Sequence, residues 1–282
     1  MQRVWLHCWY AERCTSEGTK REMKILKIIK GQLSKLKTMI LSDAPTWLIL
    51  THFKLNYLHR LSSAKKIFMT EEYNFRQYAK TLKLDNDWFT PNIPTWLMAF
   101  QKQSYNKQTL LKCMEIGSWQ GQSAVFLLSY FDNANLTCVD TWEGADEHKT
   151  FHVSSHEVLS KVEKTFDANL AEYEDRLTKY KGTSYSYFND CFEIDKFDLI
   201  YIDGSHHSDD VVVDAVKSFE MLKVGGLMIF DDYFWKYYDR TIDNPSGAIN
   251  LFVRLKRNQL EVICFDYQLV LRKTSSSVRR SN

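Results

Sequence analysis

The chain predicts an α/β fold, a mostly parallel sheet with helices on both faces. Three observations carry that expectation. Short apolar runs alternate with helical stripes from Leu110 onward. Four of those runs end on acids: Glu115, Asp140, Asp203, and the Asp231-Asp232 pair. The first of them leads at once into a glycine turn and a helix. In a parallel sheet, ligands bind outside the carboxyl ends of the strands, so these five acids share one rim. That rim is the candidate site.

The first strand is the run Leu110 to Ile116, followed by Gly117-Ser118-Trp119-Gln120-Gly121 and the periodic segment Ala124 to Phe131. Strand, glycine turn and helix bring backbone N–H groups against a ligand. Glycine serves where the backbone turns left-handed or where a side chain would block close approach. The second strand, Leu136 to Val139, ends in Asp140, about 20 residues beyond the turn, the distance at which an acid accepts from ribose hydroxyls. Ser154-Ser155-His156-Glu157 reads as a capping box, and Val158, Val162, Phe166, Leu170, Tyr173 and Leu177 as the stripe of its helix. Leu177 to Lys181 is a short third strand closed by Gly182-Thr183-Ser184.

Phe197 to Ile202 is a fourth strand ending in Asp203-Gly-Ser-His206-His207. Its helix is expected to be capped by Ser208 or Asp209, to turn Val212, Ala215, Val216 and Phe219 inward, and to stop at Gly225-Gly226. Leu227 to Phe230 is the fifth strand. Asn244-Pro245 opens another helix, proline being tolerated in a first turn. Leu260–Phe265 and Gln268–Lys273 are two closing strands.

At 282 residues, 44% apolar and 26% charged, the chain has material for a large core and a solvated surface. The charge is uneven. Residues 1–60 carry 11 Lys/Arg against 4 Asp/Glu, which leaves the other 222 residues at about −5 within a total of +2. From Lys20 to Leu41, Leu26, Ile29, Leu33, Leu36 and Ile40 fall on one helical stripe, expected to pack on its own domain, with self-association or a membrane surface as the sharper readings. Residues 42–85 read as mixed helix. Prolines at Pro91 and Pro94 mark a new unit, giving a basic helical extension over 1–85, a main domain over 86–273 and a tail over 274–282 expected to be disordered.

Cys8 and Cys14 lack a second pair to complete a zinc site. The buried placement expected for Cys113 and Cys138 suits reduced thiols and a cytoplasmic setting. No run reaches the roughly 18 apolar residues of a membrane span.

Glu115-Ile-Gly-Ser-Trp-Gln-Gly, Val139-Asp-Thr-Trp142, Tyr201-Ile-Asp-Gly-Ser-His206 and Gly226-Leu-Met-Ile-Phe-Asp-Asp-Tyr233 together resemble class I S-adenosylmethionine (SAM)-dependent methyltransferases of the macrocin/cephalosporin O-methyltransferase type. The resemblance runs from about Trp88 to Lys273. It implies a Rossmann-like sheet of seven strands whose last hairpin supplies an antiparallel strand. It implies a SAM site of Glu115, Gly117, Ser118, Trp119, Gly121 and Ser123 at the glycine turn, Asp140, Thr141 and Trp142 for the ribose side, and Thr183, Ser184 and Asp203 beyond. Mg2+ falls to Asp203, Asp231 and Asp232, and the role of general base to His206. Asp231 stands where relatives often carry glutamate.

The chemistry has its own logic. A hydroxyl is a poor nucleophile until its proton leaves, hard carboxylate oxygens suit Mg2+, and neutral histidine takes protons near neutrality. The expected acceptor is a hydroxyl of a sugar, glycan or glycosylated small molecule, with the aromatics Tyr233, Phe234, Trp235, Tyr237 and Tyr238 as a stacking surface. The alternatives are a metal-independent N- or carboxyl-methyltransferase and a non-catalytic interaction module. Nucleic acid is disfavoured, since the main domain is acidic on balance and lacks an Asn/Asp-Pro-Pro-aromatic motif. His148, His152 and His156 share a helical spacing, but no carboxylate stands in register.

Overall fold

The computed structural model describes residues 23, 26–61, 67–145 and 159–276. Seven strands form one sheet: β1 Leu111–Ile116, β2 Ala134–Asp140, β3 Leu177–Lys181, β4 Phe197–Ile202, β5 Leu222–Phe230, β6 Leu260–Phe265 and β7 Leu269–Lys273. Their order is β3-β2-β1-β4-β5-β7-β6. The first five run parallel, and β7 lies antiparallel between β5 and β6. This is the sheet that the family resemblance implies.

Strand periodicity sorts the core onto two faces. Leu199 and Tyr201 of β4 and Leu227 and Ile229 of β5 enter one cluster, while Ile200, Ile202, Met228 and Phe230 enter the other. The first cluster is closed by α3 Met69–Ala79, α4 Ile93–Lys102, α5 Gln122–Tyr130 and α6 Val162–Leu170, through Phe75, Trp96, Phe126 and Phe166. The second is closed by α1 (residues 26–41), α2 Thr46–Leu61, α7 Ser184–Cys191, α8 Ser208–Met221 and α9 Pro245–Leu255, through Met39, Leu48, Phe188, Phe219 and Phe252. Cys113 and Cys138 are buried free thiols on the central strands β1 and β2.

Several local expectations change. α6 ends at Leu170, residues Ala171–Arg176 tighten into a 3₁₀ stretch, and Leu177 opens β3, so the stripe through Tyr173 and Leu177 is not one helix. α8 is capped by His207, whose Nδ1 accepts from the Asp209 amide at 3.4 Å, rather than by Ser208 or Asp209. Its inward residues include Val211, Asp214 and Ser218 as well as Ala215 and Phe219, with Val212 and Val216 only half-buried. α8 stops at Met221, and Gly225-Gly226 lie inside β5, where Gly225 turns left-handed. The capping box at 154–157, the histidines 148, 152 and 156, Cys8, Cys14 and residues 277–282 lie outside the described residues.

The stripe on α1 is the largest departure. Leu26 is 55% exposed, Ile29 49%, Leu33 59% and Ile40 60%, and α1 meets the core through Met39 instead. Polar ties complete its seat. Lys35 Nζ reaches Asp266 Oδ1 at 2.8 Å, and Asn250 Nδ2 donates to the Ser42 carbonyl at 3.0 Å. From α2, Asn56 Nδ2 donates to the Phe265 carbonyl at 3.0 Å. The segment before α4 is tied as closely. The Lys83 amide donates to Asn169 Oδ1 and the Asp85 amide to Gln120 Oε1, both at 2.9 Å, which straps it across the glycine turn.

Candidate active site

The glycine turn is built by two neighbours. Gly117 (φ +84°) leaves β1 beside the end of β4, and a Cβ there would strike the backbone carbonyl of Asp203. Gly121 (φ +83°) starts α5, and a Cβ there would press on Leu170 at 2.8 Å. Both glycines are therefore required by backbone and space. Gly117→Ala is expected to lower stability by more than ~2 kcal/mol, since a left-handed conformation and a backbone collision add. A thermal melt equal to the parent's would contradict this.

Asp140 organises the turn. Its Oδ2 accepts the Ser118 and Trp119 amides at 2.8 Å each, and its Oδ1 accepts the Trp142 amide at 2.7 Å. The Gly117 amide donates to the Val139 carbonyl and the Gly121 amide to the Ser118 carbonyl. The turn's N–H groups are thus largely committed within the protein, in place of the bare N–H groups that the motif suggests. A carboxylate has about four acceptor positions, so Asp140 keeps one for a ligand hydroxyl.

Glu115 is fully buried behind the turn. Ser123 Oγ donates to its Oε1, and Cys138 Sγ lies 3.5 Å from Oε2. Burial pushes its carboxyl up to about 7. A buried acid whose folded value lies above its unfolded one is favoured by protonation, so its contribution is present below the unfolded value of about 4.5 and lost as pH rises through about 7. Glu115→Gln is expected to flatten that fall, worth about 3 kcal/mol at most. Denaturant melts of both proteins at pH 5 and pH 8 would show it, and parallel pH profiles would contradict it.

Trp142 is buried against Phe166 with ring centroids 4.9 Å apart, and its Nε1 donates to the Trp119 carbonyl at 2.9 Å. Thr141 and Trp142 edge a cleft of about 460 Å3, shared with Glu143, Glu163 and Lys181. Thr183 is an exposed helix cap whose Oγ1 accepts the Ser186 amide at 3.1 Å. Ser184 opens α7, and burial pushes Asp214 of α8 up to about 7. Among the described residues, neither Thr183 nor Ser184 is hydrogen-bonded to the glycine turn.

At the ends of β4 and β5, Asp203, His206 and Asp232 converge, with one ligating atom from each lying within 4.8 Å of the others. His206 Nε2 donates to Asp232 Oδ2 at 2.9 Å and lies 4.0 Å from Asp203 Oδ1. Asp231 is held to one side. Its Oδ2 accepts from Tyr201 Oη and from Gln268 Nε2 at 2.9 Å, and its Oδ1 from the Asp232 amide at 2.7 Å. The ligand set expected from sequence was Asp203, Asp231 and Asp232. Of these, the structure gathers Asp203 and Asp232 about His206, with Asp231 turned to Tyr201 and Gln268.

Tyr201 Oη also reaches Asp203 Oδ2 at 2.9 Å, and Tyr267 Oη donates to Asp232 Oδ1 at 2.6 Å. Burial, and then the Asp231 charge, push Asp203 well up, while burial and Asp232 push Asp231 up to about 6. Burial and the surrounding carboxylates push both phenols above their usual value, which keeps them hydrogen donors. Three carboxylates that repel one another and one imidazole suit a divalent cation, whose charge relieves the repulsion. Trp119, Trp142 and Asp232, all with left-handed backbones, lie on this rim.

The aromatic run after the acids divides in two. Tyr233 is buried, donating to Asn250 Oδ1 at 2.7 Å and packing on Phe265. Trp235 covers His206 with centroids 4.4 Å apart, Tyr237 stacks on Trp235 at 5.5 Å, and Tyr238 meets His207 at 5.0 Å. Tyr201, Tyr267, Gln268, Gln120 and Asn169 all hold the site, and none was singled out from sequence. The period of two that places Tyr201 on the same strand face as Asp203 was the one usable signal.

Known proteins give one domain match and several loose structural likenesses. Residues 114–233 match the family model described as a methyltransferase domain. No curated protein matches the sequence significantly. Among solved structures, a protein from Corynebacterium glutamicum is 15% identical over 74% of this chain and 91% of its own, at a TM-score of 0.48. MycE, a methyltransferase of the mycinamycin biosynthetic pathway solved with Mg, S-adenosylhomocysteine and mycinamycin VI, is 14% identical over 69% of this chain and 52% of its own, at 0.47. The O-methyltransferase TomG from Streptomyces achromogenes is 12% identical over 79% and 97%, at 0.46. Likeness so loose says nothing of substrate. The matched segment contains the glycine turn, Asp140, Asp203, His206 and both acids after β5, so residues 114–233 carry a methyltransferase domain.

Proposed function

We propose that the chain transfers a methyl group from SAM to a hydroxyl oxygen of a sugar, glycan or glycosylated small molecule, with His206 as general base. The observation that carries this is the convergence of Asp203, His206 and Asp232 on the rim next to the glycine turn. The acceptor oxygen attacks the sulfonium methyl in line, the C–O bond forms as the C–S bond breaks, and the sulfur leaves as a neutral thioether. The hydroxyl proton passes to His206. Asp232, bonded to His206 Nε2, orients the ring and stabilises its cationic form. Tyr267, which reaches Asp232, holds that carboxylate in place.

Asp203 and Asp232 would hold Mg2+ through their carboxylate oxygens, with Asp231 a third acid beside them and His206 left to take the proton. Bound there, the cation supplies charge stabilisation to the developing alkoxide. The aromatic rings of Trp235 and Tyr237 beside His206 support a sugar acceptor, since aromatic faces accept the apolar face of a pyranose. The Asp232–His206 bond also supports a second reading, a metal-independent transfer in which that pair alone manages the proton.

Labelled methyl transfer from SAM to a panel of glycosides, amines and carboxylates, each with Mg2+ and with chelator, tests both readings. Transfer to a glycoside hydroxyl that chelator reduces supports the first, and transfer that chelator leaves unchanged supports the second. Transfer to amines or carboxylates alone would overturn the hydroxyl assignment.

A further inference from the structure

The exposed stripe of α1 is a surface that the catalytic reading does not use. Leu26, Ile29, Leu33 and Ile40 face solvent, and the Lys27, Lys30 and Lys37 beside them are exposed too. Between residues 26 and 42 there are four lysines and no acid. Only Lys35 turns inward, to Asp266. The next acid, Asp43, is neutralised by Arg254 Nη1 at 2.6 Å. α2 continues the theme, with Leu50, Tyr57 and Leu58 exposed and no acid from residue 44 to residue 61. Among the described residues, no helix is long and apolar enough to cross a membrane.

We propose that this face docks on an anionic lipid bilayer, with α1 lying in the plane of the interface. The charges select the occupant. Two copies meeting on this stripe would set lysine rows side by side with no acid to pair them, whereas helices that associate through such a stripe place acids at its edges. A nucleic acid would match the lysines but leave the row of leucines and isoleucines without a partner. A bilayer with anionic headgroups satisfies both, taking the apolar side chains into the headgroup boundary and the ammonium groups at the phosphates. Docking would hold the site close to acceptors carried on the membrane. The proposal stands independently of the chemistry assigned to His206.

Co-sedimentation of the full chain tests it, with vesicles of phosphatidylcholine alone and of an equal mixture of phosphatidylcholine and phosphatidylglycerol. The protein is expected to partition onto the mixed vesicles and to release at high salt. A triple variant K27E/K30E/K37E is expected to lose about a hundredfold in partitioning, since each lysine near an anionic surface contributes about fivefold. The double variant Ile29→Asp/Leu33→Asp is expected to stay in the supernatant. All these side chains are exposed, so both variants are expected to keep the parent's circular dichroism and melting temperature. Failure of the parent to bind mixed vesicles, or equal binding by parent and variants, would overturn the proposal. So would a solution dimer that Ile29→Asp/Leu33→Asp dissolves, which would make the stripe a contact between copies.

Discussion

Asp140→Ala is expected to weaken SAM binding by about a hundredfold or more. The residue does two things at once. It fastens the Ser118, Trp119 and Trp142 amides, and under the proposed function its remaining acceptor position would take a ribose hydroxyl. A hydrogen bond to a charged acceptor is worth about 1.5–3 kcal/mol, and three amides freed together leave the turn without its anchor. Even ~3 kcal/mol of that, expressed in the binding equilibrium, exceeds two powers of ten. Asp140→Asn retains one carbonyl oxygen and is expected to fall between the parent and alanine. Titration calorimetry decides, and an alanine variant that binds like the parent would remove Asp140 from the site.

His206→Ala is expected to leave SAM affinity within about twofold and to lower turnover by about 10²–10⁴, the range for losing a general base. The split between binding and turnover is the informative part. His206 touches Asp232 and Trp235, and no hydrogen bond among the described residues ties it to the glycine turn. Its loss therefore reaches the proton and its orientation more than the sulfonium end of the site. Turnover equal to the parent's would end its assignment as base. If affinity fell together with turnover, the residue would instead be supporting the fold of the rim.

The sheet was legible because its signals are local. An apolar run and a terminal acid recur at β1, β2, β4 and β5, and each could be read within about ten residues. The glycines were legible for the same reason, and the structure adds the cause: the Asp203 carbonyl beside Gly117 and Leu170 beside Gly121. What stayed hidden depends on partners distant in sequence. Asp231 and Asp232 are adjacent, yet Tyr201 and Gln268 take one while His206 and Tyr267 take the other. Nothing in a pair of aspartates foretells that division, because it is imposed by β4 on one side and the β6–β7 turn on the other. The α1 stripe shows the opposite limit. Its period is clear, but period alone does not say whether the apolar face meets the protein or something outside it. Met39, one position from Ile40, turns to the core while Ile40 turns to solvent.

Titration calorimetry with SAM, with and without Mg2+, on the purified protein decides whether the glycine turn and Asp140 form a SAM site. Binding in the micromolar range is expected in both conditions, weakened by Asp140→Ala and unaffected by His206→Ala. No binding of SAM or of S-adenosylhomocysteine under either condition would contradict it.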